Sequence, residues 1–336
     1  MSDVIDHIIE SISPASVAQA TGATRRLMQA ELGTEHGSLS ELATRLCAAR
    51  HSPHPKLSDK TVVVVAADHG VSSPGIDLGA NNPSAVGLEL MAKGGAAINS
   101  AARSANVELV LVDAGITGGE DLDLGRSVLS FRAGNGTQDF TSAPAMSMQE
   151  AEAAVQTGVA LAFSLADAGL DLLALGQMSA GSQPCSAALV AALTGDAPAD
   201  LSPSDADVVD KALRVHKLGG CTPMEILSLI GGFDIGVMTG LILAAASIHV
   251  PIVLDGHGTS AAALLASRLA PEVRGYLFAS HRGGIKAHSR ALEALNLQPL
   301  FAVGLAQGEG TGAVLAIPML EAAARVLSEA GNPELG

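Results

Sequence analysis

Six short, predominantly apolar runs constrain this chain more than any other feature. They occupy positions 61–67, 109–113, 170–176, 251–255, 275–279 and 300–305, and helix-forming, often alanine-rich stretches lie between them. A strand with one wet face alternates apolar and polar residues, whereas a continuous apolar run belongs to a strand covered on both faces. Strands that alternate with helices build right-handed βαβ units. The expected fold class is therefore α/β: a Rossmann-like parallel sheet of about six strands with helices on both faces. Residues 1–56 read as helices that precede the sheet and end in the turn-rich His51-Ser52-Pro53-His54-Pro55. Residues 313–330 read as one more helix, ended by Gly331-Asn332-Pro333. Three parts follow: an N-terminal helical segment over 1–56, a parallel α/β domain over 57–312, and a C-terminal helix and tail over 313–336. The terminal helices are expected to pack together as a small subdomain.

Composition sets the surroundings of that sheet. Hydrophobic residues make up 48% of the chain and charged residues 16%, with no Trp, one Tyr and six Phe, so the core must be built from Ala, Val, Leu and Ile. Exposed alanine-rich faces favour self-association. A net charge of −15 argues against nucleic-acid or anionic-membrane partners, which need clustered Lys and Arg. The acidic start Met1-Ser2-Asp3-Val4-Ile5-Asp6 lacks the basic and apolar regions of a signal peptide. Residues 235–254 are apolar enough to raise a membrane span, but His249 and Pro251 favour a buried helix followed by a buried strand. Cys47, Cys185 and Cys221 are too scattered for a metal motif and point to free thiols in a reducing, cytoplasmic compartment.

In such a fold, chemistry gathers at the carboxyl ends of the strands. After the last run comes Gly308-Glu309-Gly310-Thr311-Gly312-Ala313, one carboxylate among three glycines. Glu309 reads either as a general base whose pKa rises when a substrate excludes water, or as an acid near a helix start that stabilises its dipole. After the third run, Gly176-Gln177-Met178-Ser179-Ala180-Gly181-Ser182-Gln183-Pro184 leads into a helix. Free amides there suit an anion, although the loop carries no Lys, and a simple polar turn fits the spacing as well. Asp68-His69 after the first run is a proton-handling pair or a loop-bonding one; a lone Asp-His pair does not make a metal site, and no metal is expected. Together with Asp113, Asp255-Gly256-His257 and Ser280-His281 it suggests a hydrolase-type cluster as an alternative. Gly94-Gly95-Ala96-Ala97-Ile98-Asn99 and Gly231-Gly232-Phe233-Asp234 read as scaffold. The long segments 72–83 and 195–205 read as lids or binding loops.

Taken in order, Ala67-Asp68-His69-Gly70-Val71, Gly94 to Asn99, Gly231 to Asp234, Leu254-Asp255-Gly256, Ser280-His281 and Gly308 to Ala313 form a recognisable series. The chain resembles the nicotinate-nucleotide–dimethylbenzimidazole phosphoribosyltransferases of cobalamin lower-ligand assembly, from about residue 30 through the tail helix. The resemblance implies a parallel α/β sheet with a small helical domain, a homodimer, small-molecule substrates, and neither metal nor cofactor. It implies transfer of phosphoribosyl from nicotinate mononucleotide to a benzimidazole nitrogen, giving α-ribazole phosphate and nicotinate. The family's general base falls on Glu309. The implied substrate-binding set is Asp68, His69, Gly176, Gln177, Met178, Ser179, Gly181, Ser182, Asp255, Ser280, Gly308 and Gly310.

Departures are concentrated in one loop. The family's Gly-Glu-Met/Leu-Gly followed by Asn-Thr-Thr becomes Gly176 to Pro184 here, with Gln177 where a carboxylate is usual and Ser182-Gln183-Pro184 where Asn-Thr-Thr is usual. Pro184 cannot donate a backbone amide. Asp205 falls where the family has a lysine, Gly87 where it has a glutamine, and Gly79 where it has a serine; only Gly37-Ser38-Leu39 remains of a proline-rich N-terminal segment. Two alternatives stay open: a divergent enzyme with another donor or acceptor, and a non-catalytic or hetero-oligomeric partner.

Overall fold

The computed structural model describes residues 2–30, 37–71, 78, 81–118, 127–305 and 308–329. Seven strands form one sheet in the order β3-β2-β1-β4-β5-β6-β7. They are β1 Lys60–Ala67, β2 Glu108–Gly115, β3 Val128–Ser130, β4 Leu172–Gln177, β5 Ile252–Leu254, β6 Leu277–His281 and β7 Pro299–Phe301. Every neighbouring pair is parallel. The α/β expectation therefore holds, with one more strand than the six apolar runs. The extra one, β3, is three partly exposed residues at the sheet edge, too short and too wet to leave an apolar run. The last run is strand only over Pro299–Phe301, and Ala302, Val303 and Gly304 beyond it are exposed.

All eight residues of β1 are buried, as a central strand covered on both faces requires. Strand order reverses between β1 and β4, and the crevice outside the carboxyl ends there is where such sheets bind ligands. Segment 235–254 is a buried helix, Phe233–Ser247, followed by β5. That helix meets Met148–Ala168 backbone to backbone. A Cβ on Gly158 would lie 2.0 Å from the Val237 carbonyl oxygen, and one on Gly240 would lie 2.0 Å from that of Val155. Paired glycines thus fix where the first turn of Phe233–Ser247, and Asp234 on it, must sit.

The helices Val17–Gln29 and Ser38–Ala49 pack on each other and on Thr311–Glu329. Among the described residues Thr311–Glu329 is the one helix long and apolar enough to cross a membrane by length and composition. It buries Ala313, Val314, Ala316, Ile317 and Leu320, packing on β4, β5 and β6. Segment 195–205 is not a bare loop: it holds the short helix Pro198–Leu201 and ends on Asp205, which precedes the helix Ala206–His216. Most of 72–83, together with Gly79 and Gly331 to Pro333, lies outside the described residues. Cys47, Cys185 and Cys221 are unpaired.

Candidate active site

A cavity of about 490 Å³ opens at the carboxyl end of the sheet. Gln177, Met178, Ser179, Gly181, Ser182, Gly308 and Glu309 lie on its wall, joined by Pro83, Ser84, Gln183, Asp205 and His257. The two motifs read from the sequence, the Gly308-Glu309-Gly310 turn and the loop after β4, are therefore brought together. They are far apart in strand order, since the turn follows β7 at the sheet edge. It crosses back over β5 and β6 to reach β4. The Gln177 amide donates to the Gly308 carbonyl at 2.7 Å, and a Cβ on Gly176 would sit 2.6 Å from the Glu309 carbonyl carbon. Gly176 is thus required by close approach of backbone, and it sets the position of the acid.

Glu309 is half-buried, and among the described residues none donates to its carboxylate. Burial alone pushes its pKa above the ordinary value. At the helix start it is Asp255, not Glu309, that accepts the backbone amides. Fully buried at the end of β5, Asp255 accepts from the Gly310 amide at 2.9 Å and the Ala313 amide at 2.7 Å. Burial raises its pKa to about 7 against the pull of those amides, and the nearby Glu309 charge adds to the rise.

Beneath the loop after β4 lies Asp234, wholly buried on the first turn of Phe233–Ser247. Its Oδ2 accepts from Gln177 Nε2 at 2.7 Å and Ser179 Oγ at 2.5 Å, and meets His69 Nε2 at 3.2 Å. Burial opposes a charge on His69, but the Asp234 carboxylate overrides it and holds the imidazole pKa well above the ordinary range. Burial likewise opposes charge on Asp234, whose pKa His69 nevertheless keeps low. The result is a buried ion pair that orients Gln177 and Ser179. Ser179 Oγ also accepts from the Ala67 amide at 3.1 Å, tying the loop to β1. The Gly231 to Asp234 segment, read as scaffold, therefore supplies the anchor of the cavity wall.

The remaining sequence candidates lie below the wall. Asp68 is buried, accepting from Ser84 Oγ and Asn82 Nδ2, both at 2.5 Å, and from the Thr117 amide at 2.7 Å. Ser280 is buried with Oγ 2.9 Å from His281 Nδ1. Asp113 pairs with Arg132 at 2.7 Å and is not among the described residues of the cavity wall. The hydrolase-type cluster assembles only in part: Asp255, Ser280 and His281 meet, with His281 Nδ1 3.9 Å from Asp255 Oδ1, while Asp68, His69, Asp113 and His257 are engaged elsewhere. Gly87 gives way to Met178, whose Cε would lie 2.1 Å from a Cβ at that position. Asp205 is satisfied by Ser202 Oγ at 2.5 Å, Gln183 Nε2 at 2.8 Å and Ser204 Oγ at 3.0 Å. Sequence reading missed Asp234, Asn82 and Ser84; only the acid after a Gly-Gly pair at a helix start was a usable signal.

Comparison with known proteins agrees with this geometry. A phosphoribosyltransferase family model matches residues 9–334. A nicotinate-nucleotide–dimethylbenzimidazole phosphoribosyltransferase from Roseiflexus sp. (strain RS-1) is 36% identical over 97% of this chain and 95% of its own length. The protein of that name from Desulforudis audaxviator is also 36% identical, over 97% of this chain and 96% of its own. A crystal structure of the Thermus thermophilus protein superposes with a TM-score of 0.81 at 34% identity, covering 98% of this chain and 96% of that one. The chain belongs to the nicotinate-nucleotide–dimethylbenzimidazole phosphoribosyltransferase family.

Proposed function

We propose that the chain transfers phosphoribosyl from nicotinate mononucleotide to 5,6-dimethylbenzimidazole or a related azole, giving α-ribazole phosphate and nicotinate during assembly of the cobalamin nucleotide loop. The observation that carries this reading is Glu309, a half-buried carboxylate on the wall of the cavity with no donor among the described residues. One azole nitrogen attacks the anomeric carbon while the other loses its proton to Glu309, and nicotinate leaves with the bonding pair. A base of raised pKa, fixed by the backbone of β4, suits that proton transfer. Its fixed position also supplies orientation.

Gln177, Met178, Ser179, Gly181, Ser182 and Gly308 are proposed to contact substrate. Asp68, His69, Gly176, Asp255, Ser280 and Gly310 hold that wall from behind. Donor phosphate is assigned to the start of the helix Ser182–Thr194, where Gly181 leaves the first amides without a side-chain cap. Asp205, which would repel phosphate, is engaged by its own donors. We further propose a homodimer, supported by the exposed pairs Val86 and Leu90 on one helix and Leu315 and Met319 on another. A cytoplasmic setting is supported by the three free thiols.

Incubation with nicotinate mononucleotide and dimethylbenzimidazole should release nicotinate and form α-ribazole phosphate, both measurable by chromatography. Folded wild-type protein that yields neither product would sink the reading.

A further inference from the structure

The described cavity wall holds two carboxylates, Glu309 and Asp205, and neither Lys nor Arg. Among the described residues of this wall, an anionic donor is therefore met by neutral N–H groups. Three helices begin on this wall: Pro83–Ala92, capped by Asn82, and Ser182–Thr194 and His257–Leu269, the latter two packed against each other. Neither has a side-chain cap at Gly181 or Gly256, in contrast to Thr311–Glu329, whose first amides are taken by Asp255. His257 bridges the two starts: it opens one helix, and its Nδ1 lies 3.0 Å from Ser186 Oγ on the other. Its Nε2 has no partner among the described residues and is not sealed from solvent, and the residue lies on the cavity wall.

On the reading that the donor is a nucleotide, we propose that His257 is a specificity-determining residue whose Nε2–H donates a hydrogen bond to the donor's 5′-phosphate, in place of a lysine or arginine. A Ser186 hydroxyl donating to Nδ1 fixes the tautomer with hydrogen on Nε2. Burial, then the neighbouring His288 and His69, lower the imidazole pKa to about 4 against the pull of Asp234, so the ring is neutral at working pH. A neutral donor leaves the proton-accepting Glu309 on the same wall uncompensated by any fixed positive side chain.

The test is steady-state kinetics on the full chain with nicotinate mononucleotide, with nicotinate riboside, which lacks the phosphate, and with varied dimethylbenzimidazole. His257→Asn should raise the mononucleotide KM by about 10- to 100-fold, as expected for losing one hydrogen bond to a charged group. The acceptor KM and the riboside kinetics should stay unchanged. His257→Gln, whose amide reaches the Nε2 position, should restore most of the affinity. An unchanged mononucleotide KM, equal shifts for donor and acceptor, or no recovery in the folded glutamine variant would overturn the proposal. Calorimetry with ribose 5-phosphate and ribose separates this from the activity itself. Phosphate-dependent binding that weakens in His257→Asn and returns in His257→Gln supports the role even without turnover. Binding that ignores either the phosphate or the substitutions overturns it.

Discussion

Gly176 and Glu309 touch backbone to backbone, with room for no more than a hydrogen on the Gly176 Cα. The proposed base is thus placed by a strand three positions away in the sheet from the one that precedes it. Gly176→Ala must push the Glu309 main chain outward, since the methyl would meet backbone atoms at 2.6 Å. We expect kcat/KM to fall by about a hundredfold, the scale set by a misplacement near 1 Å. Circular dichroism should remain that of a folded α/β protein.

Glu309→Gln removes the proton acceptor and should lower kcat by about 10²- to 10⁴-fold with little change in stability. On the proposed mechanism the base form is the active one, and burial raises the Glu309 pKa above its ordinary 4.5. Activity should therefore climb with pH along an acid limb that lies above 4.5. Asp255→Asn removes the neighbouring charge but turns an acceptor of the Gly310 and Ala313 amides into a poorer one, so its melting temperature should drop.

The His69–Asp234 pair makes stability depend on pH from both sides. His69 has a folded pKa raised above 6.5, so its contribution is full below that value and fades as pH rises through the raised one. Asp234 has a folded pKa below 3.8, so its contribution is full above that value and is lost as pH falls through the lowered one. Asp234→Asn leaves a buried imidazole without its counter-charge and should cost about 3–5 kcal/mol. Urea unfolding should show the largest gap from wild type between pH 3.8 and 6.5.

Gln177→Glu restores the carboxylate usual in the family but sets it against Asp234, where an N–H now donates at 2.7 Å. We expect a loss of about 1–3 kcal/mol from the broken hydrogen bond. Repulsion raises the new carboxyl's pKa, so the loss should deepen as pH rises. Denaturation midpoints compared between about pH 5 and about pH 8 check the trend.

Much of this was legible in the sequence because β1, β2, β4, β5 and β6 are buried along most of their length and leave continuous apolar runs. Strand β3 left none, having only Val128, Leu129 and Ser130 at an edge. Glu309 and the Gly176 to Pro184 loop could be picked out because each follows an apolar run closely. Their meeting could not, since it depends on a turn that doubles back across two strands. Asp234 was hidden for a related reason: its role exists only where His69, Gln177 and Ser179 converge from separate segments. Asp255 and Glu309 are both acids beside glycines, and nothing local says which caps the helix and which is left free.

The return of the Gly308 turn to β4 also bears on how the protein acquires its activity in time. The contact joins segments far apart along the chain, and such contacts are slow to form because loop-closure entropy must be overcome first. During refolding from denaturant, helical signal should recover before catalysis, and the last event to complete should be the docking of the proposed base.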